Sequence, residues 1–121
     1  MPRICSMSYK VITIPKFEKD LKRLAKKYPS LKNEYMELVQ SLKEQPGQGT
    51  ALGNNCFKIR LSIASKGKGK SGGARLITCL QVLDTAVYLL TIYDKAEQEN
   101  IPDKDLRDLL NFILNNKTRH Y

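Results

Sequence analysis

Alternating apolar and polar side chains between Phe57 and Ile63 are the feature that most constrains the fold of this chain. In the segment FKIRLSI, every second residue is apolar, and Lys58, Arg60 and Ser62 lie between the apolar ones. Because successive side chains of a strand point to opposite faces, the segment predicts a strand with one buried face and one cationic face. The sheet that contains this strand then needs an apolar layer on one side, and its other side stays partly open.

The surroundings of this strand are strongly basic. The segment Cys56–Arg75 holds six Lys or Arg residues and no acidic residue, and no Asp or Glu occurs between Gln45 and Leu83. Within it, Ser65–Gly73 contains four glycines and predicts a flexible loop between two strands. Fixed cations on a strand beside mobile cations on a loop suit the binding of a phosphate chain.

The length of 121 residues predicts one domain over residues 1–121, with a short N-terminal extension at 1–8 and a polar C-terminal tail at 115–121. The net charge of +9 indicates nucleic acid, an anionic membrane surface or an acidic protein as partner. Three dispersed cysteines and one histidine predict neither a disulfide framework nor a metal site. We expect a cytoplasmic protein, since no apolar run is long enough to span a membrane and the N-terminus lacks the pattern of a secretory signal.

The remaining elements follow from periodicity and from proline and glycine positions. A short β-branched segment at the start predicts a strand, and two apolar stripes separated by Pro29 predict a helical hairpin. The predicted order is strand 9–14, helix from Pro15, helix 31–43 after the capping residue Ser30, strands 57–63, 75–82 and 87–93, and a helix from Pro102 to about Ile113. We therefore expect an α+β fold of order β-α-α-β-β-β-α, with an antiparallel-rich twisted sheet and the helical hairpin on one face.

Three segments of this chain resemble the RelE/ParE superfamily of toxins from bacterial toxin–antitoxin pairs. They read FEKDLKRLAKKYPSL in the first helix and its exit, FKIRLSIASKGKGKSGGARLI in the middle, and VYLLTIYDKAEQENIPDKDL near the end. The combination of GKGKSGGAR with YLLTIYDK is most similar to the HigB/RelE-type branch. This resemblance covers residues 9–114 and implies a small RelE-like fold, a ribosome-dependent endoribonuclease that cleaves translated mRNA, and a HigA/RelB-like antitoxin as partner.

The candidate catalytic residues follow from the chemistry of RNA cleavage without a metal or cofactor. Attack by the ribose 2′-hydroxyl needs a base, an acid and positive charge near the transition state. With only the terminal His120 available, these groups must be Lys, Arg, Tyr or carboxylate side chains. Crowded like charges lower the pKa of a lysine and make a lysine base physically possible. The candidate catalytic set is Arg60 and Arg75 on the scissile phosphate, Lys68 or Lys70 as base or phosphate contact, and Tyr93 in proton transfer.

A second set of basic residues is predicted to contact mRNA or ribosomal RNA. Lys58 and Lys66 belong to the central basic segment, and Lys95 follows the strand that ends at Tyr93. Further candidates lie on the polar face of the first helix: Lys19, Lys22, Arg23 and Lys26.

Each of these residues also has a simpler interpretation. The lysine loop can be a solvated hairpin, Arg75 can pair with Asp94 or Glu97, and Tyr93 can be a core residue. The basic face of the first helix can serve solubility alone. For the whole chain, a ParE-like inhibitor of DNA gyrase and a plain basic RNA-binding module are the competing functions, and the fold alone does not separate them.

Overall fold

A computed structural model describes residues 9–64 and 73–118, with side chains as far as Leu114. The elements are β1 (Lys10–Thr13), α1 (Pro15–Lys27), α2 (Leu31–Glu44), β2 (Thr50–Gly53), β3 (Cys56–Leu61), β4 (Ala74–Gln81), β5 (Ala86–Asp94) and α3 (Asp103–Thr118). In these residues, no helix is long and apolar enough to cross a membrane. The α+β class and the helical hairpin are as predicted, and the sheet contains one strand more than expected.

The five strands that the structure describes form a single sheet in the order β1-β5-β4-β3-β2. β1 runs parallel to β5, whereas β2, β3, β4 and β5 are joined as an antiparallel meander. The antiparallel-rich sheet expected from the sequence is therefore confirmed, and β4 is the central strand, in agreement with its apolar sequence. The helical hairpin and the strands β2, β3 and β4 all lie between β1 and its parallel partner β5 in the chain.

The strand β2 is the element that the sequence did not predict. It has four residues, TALG, and pairs with β3 through Thr50–Lys58 and Ala51–Phe57. Its connection to β3 is the two-residue turn Asn54–Asn55, in which both residues have positive φ, at 55° and 62°. Such left-handed conformations suit a tight hairpin turn, and asparagine tolerates them better than most residues.

The helical hairpin packs on the face of β3 that carries Ile59 and Leu61. Leu38 of α2 lines one groove with both of these residues, and the interior of the hairpin consists of fully buried apolar side chains. α1 is joined to β5 by two hydrogen bonds, from Thr91 Oγ1 to Asp20 Oδ2 (2.6 Å) and from Tyr28 Oη to Asp94 Oδ2 (2.6 Å). These contacts fix the hairpin against the strand that ends at the candidate site.

The helix α3 approaches the sheet from the side of Lys58. Leu106, Leu109 and Ile113 are its buried residues, and Lys58 Nζ donates a hydrogen bond to Asn100 Oδ1 just before the helix begins (3.2 Å). α3 continues to Thr118, so the segment expected as a tail from residue 115 is partly helical. The cationic face is therefore covered at one end by α3, and only its other part is available to a ligand.

The two cysteines of the sheet, Cys56 on β3 and Cys79 on β4, are free thiols directly opposite each other. Both are fully buried. Hydrogen bonding to the Cys79 thiol, together with burial, raises the pKa of the Cys56 thiol. Thiols of this kind are poor nucleophiles, so we assign this pair to the core.

Candidate active site

Arg60, Arg75 and Tyr93 form a row across three adjacent strands. Arg60 on β3 is the register partner of Arg75 on β4, and Arg75 is the register partner of Tyr93 on β5. Directly paired residues of antiparallel strands project from the same face, with Cβ atoms about 4.5–5.5 Å apart. The sheet thus brings together three candidates that are 15 and 18 positions apart in the chain.

The three side chains of this row differ in exposure. Arg75 is 3% exposed and Tyr93 is 4% exposed, whereas Arg60 is on the surface. Arg75 Nη1 donates a hydrogen bond to the carbonyl oxygen of Ala74 (3.1 Å). The Tyr93 hydroxyl is buried and has no hydrogen-bond partner among the described residues. A buried hydroxyl without a partner is rare and costs free energy, so its retention favours a bound ligand as the missing partner.

The electrostatics of the row follow from burial and from its two like charges. Burial lowers the pKa of Arg75, the charge of Arg60 lowers it further, and Tyr93 acts in the opposite direction. Burial raises the pKa of Tyr93, and the neighbouring charge of Arg75 partly offsets that effect. An arginine stays protonated in proteins, so at neutral pH the row presents two positive charges and one neutral hydroxyl.

The simpler interpretation of Arg75 as the partner of Asp94 or Glu97 does not fit the register. Asp94 is paired with Ala74 and therefore projects from the opposite face. Its carboxylate accepts hydrogen bonds from Tyr28 Oη (2.6 Å) and from the backbone N–H of Ala96 (2.9 Å). Glu97 forms ion pairs with residues of α1. By strand register, Arg75 shares its face of the sheet with Arg60 and Tyr93.

Lys58 and Lys95 extend the row at its two ends. Lys58 lies two residues before Arg60 on β3 and so shares its face, but the Asn100 side chain accepts a hydrogen bond from its ammonium group. Lys95 is half-buried directly after β5, and its backbone N–H donates a hydrogen bond to Gly73 O (3.1 Å). That bond places Lys95 beside the start of β4, close to Arg75. Lys66, Lys68 and Lys70 lie outside the described residues.

Two acidic residues of α2 were not predicted as neighbours of the cationic face. Glu34 and Glu37 line a groove of about 720 Å³ together with Lys58 and Arg60. One oxygen of Glu34 accepts a hydrogen bond from the backbone N–H of Ala64 (2.6 Å) and thereby fixes the chain just after β3. Their i, i+3 spacing on a helix was a visible signal that they share a face. Nothing local in the sequence indicated that this face borders β3.

The basic face of α1 separates into paired and unpaired residues. Arg23 Nη1 lies 3.2 Å from Glu97 Oε1, and Lys27 Nζ lies 3.5 Å from the other oxygen of the same carboxylate. Lys19, Lys22 and Lys26 are exposed and have no ion pair within residues 9–64 and 73–114. Their i, i+3, i+7 spacing aligns them along one side of the helix. Three of the four predicted α1 residues thus remain available to a polyanion, whereas Arg23 is held by Glu97.

The family described as the RelE toxin of the RelE/RelB toxin–antitoxin system matches residues 15–116, which is most of the chain. This chain belongs to the RelE toxin family. All the described candidate residues of the RelE-family chain, from Lys19 to Lys95, lie inside the matched segment.

Solved structures support the same fold. A double mutant of the Escherichia coli toxin RelE in the free state, with two arginines replaced by alanine, superposes with a TM-score of 0.58 at 18% identity, covering 77% of this chain and 90% of that one. The toxin–antitoxin complex RelBE2 from Mycobacterium tuberculosis contains a chain that superposes with a TM-score of 0.53 at 19% identity, covering 74% of this chain and 94% of that one. At these identities the likeness concerns the fold, which the predicted α+β class anticipated.

Proposed function

We propose that this toxin is a ribosome-dependent endoribonuclease that cleaves translated mRNA at the row Arg60–Arg75–Tyr93. The observation that carries the proposal is the burial of Arg75 beside a Tyr93 hydroxyl that has no partner among the described residues. A buried hydroxyl without a partner is costly in the free protein, and a phosphate group held beside the Arg75 cation would accept a hydrogen bond from it. Membership in the RelE family and the HigB/RelE-like sequence pattern support the same function.

The reaction assigned to this row is an in-line displacement at phosphorus. The 2′-hydroxyl oxygen forms a bond to the phosphorus as its proton passes to a base, and the bond from phosphorus to the 5′-oxygen of the next nucleotide breaks as that oxygen receives a proton. The products are a 2′,3′-cyclic phosphate and a 5′-hydroxyl end. Arg60 and Arg75 stabilise the negative charge that develops on the non-bridging oxygens, a role that suits the planar, bidentate guanidinium.

Within this proposal, Tyr93 is the proton donor to the leaving 5′-oxygen. At neutral pH its hydroxyl is protonated, so it can donate a proton but cannot accept one as a base, and contact with the Arg75 cation opposes the rise in its pKa that burial causes. Lys68 or Lys70 is the proposed base, as predicted from charge crowding in the sequence. Lys58, Lys66 and Lys95 are proposed phosphate contacts, since they flank the row or belong to the same basic segment.

The proposed partners are the ribosome and an antitoxin. The ribosome positions the message, which reduces the number of acid–base groups the toxin must supply. We propose that Lys19, Lys22 and Lys26, with a smaller contribution from Arg23, contact ribosomal RNA, so that the toxin acts in the cytoplasm. A HigA/RelB-like antitoxin covers the cationic face with acidic side chains. A structure of the complex without an acidic side chain near Arg60 or Arg75 would contradict that arrangement.

A translation extract tests the nuclease directly. Purified wild-type protein is added, and the ends of a defined message are mapped by primer extension. We expect new ends within codons, none on the same RNA without ribosomes, and loss of the cuts in Arg75→Ala. Arg107→Ala is the matched control, since it removes one arginine from the exposed side of α3, near the other end of β4.

Three outcomes would reject the proposal. Cuts that persist in Arg75→Ala would exclude the row as the reaction centre. Cuts on naked RNA would exclude dependence on the ribosome. An intact message would favour the competing functions, of which a ParE-like inhibitor blocks supercoiling by DNA gyrase, whereas a plain RNA-binding module retains RNA affinity and leaves supercoiling intact.

A further inference from the structure

The end of β5 that carries Tyr93 is supported differently from the rest of the strand. β1 pairs with β5 only as far as Thr13–Leu89. Beyond Leu89, in the residues that the structure describes, β5 pairs with β4 alone, and a register shift lies between Ile77 and Thr78 of β4. A strand end with one partner next to an irregular register needs another restraint if its side chains are to hold one position.

That restraint comes from the helical hairpin. Asp94 is fully buried, and Tyr28, the residue directly after α1, donates its hydroxyl hydrogen bond to Asp94 Oδ2 at 2.6 Å. The other carboxylate oxygen accepts the backbone N–H of Ala96 at 2.9 Å, and Lys27 Nζ lies 3.8 Å from Oδ2. The Lys27 ammonium group also lies 5.4 Å from the centre of the Tyr28 ring. A short hydrogen bond to a buried carboxylate is stronger than one between neutral groups.

The Tyr28–Asp94 hydrogen bond holds the residue next to Tyr93, on the face of the sheet opposite the Tyr93 side chain. Asp94 is paired with Ala74 and Tyr93 with Arg75, so the two side chains project from opposite faces. The Tyr93 hydroxyl has no hydrogen bond of its own among the described residues. Its location in the free protein therefore depends on packing and on the backbone at residues 93–94, which the Tyr28–Asp94 bond holds.

We propose that Tyr28 is a positioning residue for the cleavage reaction, acting through Asp94 on the hydroxyl of Tyr93. This inference rests on the proposed function, because it assigns a purpose to the fixed position of that hydroxyl. Tyr28 touches no reacting atom. Its hydroxyl holds the end of β5 so that Tyr93 and Arg75 face the same phosphate.

The first test does not depend on RNA cleavage. Tyrosines are labelled with carbon-13 at the ζ position, and the Tyr93 signal is assigned by its loss in Tyr93→Phe. We expect Tyr28→Phe to shift the Tyr93 signal and its titration midpoint, and Tyr35→Phe to leave both unchanged. Tyr35 is the matched control because it lies on the same hairpin and its hydroxyl forms no hydrogen bond within the described part of the chain. An unchanged Tyr93 signal in the Tyr28→Phe variant would overturn the inference.

The second test is a kinetic cycle on programmed ribosomes. We expect Tyr28→Phe to lower kcat by about 10-fold to 100-fold with little change in KM, because misplacing one reacting group lowers the rate of the chemical step. In a Tyr93→Phe background the same change should have less than about a twofold effect, because both residues act through one hydroxyl. Equal losses in both backgrounds would show an independent role and refute the positioning role. If the wild type cuts no message, the proposed function fails, and the Tyr93 signal alone then decides whether Tyr28 positions that residue.

Discussion

Arg75 and Tyr93 are register partners on β4 and β5, and both are almost completely buried, at 3% and 4% exposure. One side chain of this pair is a cation and the other has a hydroxyl without a hydrogen-bond partner among the described residues. The hydroxyl does not benefit the stability of a free domain, since a buried polar group without a partner costs free energy. Within the proposed function, the Tyr93 hydroxyl is retained for catalysis at the expense of stability.

Replacing Tyr93 with phenylalanine tests whether its hydroxyl lowers stability and supports cleavage. Tyr93→Phe removes an unsatisfied buried hydroxyl and leaves the ring packing intact, so we expect the free energy of unfolding to rise by about 1 kcal/mol. The same change removes the proposed acid and should lower the cleavage rate by about 100-fold or more. Urea denaturation and primer extension on the same preparation measure both effects. A variant that is less stable than the wild type would show that the hydroxyl has a stabilising partner.

The raised pKa of Tyr93 predicts how stability depends on pH. In the unfolded chain a tyrosine loses its proton near pH 10, whereas buried Tyr93 keeps its proton to higher pH. Above about pH 10 the folded state therefore binds more protons than the unfolded state, and stability falls as the pH rises. Below that value the contribution is constant.

We expect Tyr93→Phe to reduce this loss. The urea midpoint measured from pH 8 to pH 11 should decline less steeply in the variant than in the wild type. Burial, with a smaller effect of the Glu18 charge, also raises the pKa of Tyr35, so part of the decline should remain in the variant. Parallel curves for the two proteins would contradict the assignment of the shift to Tyr93.

The strands and helices were predictable where the signal was local. The alternation from Phe57 to Ile63 located β3, and Pro29 marked the boundary between α1 and α2. Ser30 occupies the N-cap of α2 as expected, but no side-chain capping bond forms, and its hydroxyl lies 3.3 Å from Glu34 Oε1 instead. β2 was missed because four residues, TALG, carry no alternation, and only the Asn54–Asn55 turn could have indicated a hairpin.

The candidate site could be proposed from the sequence as a set of residues but not as a geometry. Positive charge and strand period placed Lys58, Arg60 and Arg75 on the same face of the sheet. Arg75 and Tyr93 are 18 positions apart in the chain, and the register in which their two strands pair is not determined by the local sequence pattern. The proximity of Glu34 to Ala64 depends on how α2 packs, and packing is a property of the whole chain.

The direct pairing of Arg60 with Arg75 predicts stabilisation by anions. Like charges on paired strand positions destabilise a sheet, so Arg60→Gln should raise the free energy of unfolding by about 0.2–1 kcal/mol. Sulfate that binds between the two guanidinium groups should raise the melting temperature of the wild type more than that of the variant. Thermal melts in sulfate and in chloride at equal ionic strength measure the difference, with Arg107→Gln as control. An identical response of the wild type and Arg60→Gln to sulfate would count against an anion site.

A single glycine links the packing of β3 and β4 to the position of Arg75. A Cβ atom added to Gly73 would lie 2.1 Å from Leu61 O, closer than any relaxed contact allows. Because the obstacle is backbone, Gly73→Ala should displace the start of β4, lower the free energy of unfolding by about 1–3 kcal/mol and abolish cleavage.

Gly47→Ala is the control for this change, since its added Cβ would meet only Phe57 Cζ, at 4.0 Å. We expect that variant to keep both its urea midpoint and its activity. If Gly73→Ala matched it in stability and cleavage rate, the position of Arg75 would not depend on this close approach.

The exposed lysines of α1 predict an affinity for ribosomes that depends on salt and is separate from the cleavage chemistry. Lys19 and Lys22 are exposed and unpaired among the described residues, so the double variant Lys19→Gln/Lys22→Gln should bind ribosomes more weakly. The slope of log K against log salt concentration should fall by about 1–2.

The double variant Lys32→Gln/Lys104→Gln is the control. It removes the same charge from exposed positions of α2 and α3 and should change the slope less. Cosedimentation with ribosomes across a salt series gives the slope for each double variant. At saturating ribosome concentration both double variants should cleave at the wild-type rate, because neither alters the row Arg60–Arg75–Tyr93. Equal losses of slope in the two variants would mean that net charge, and not the α1 surface, drives association.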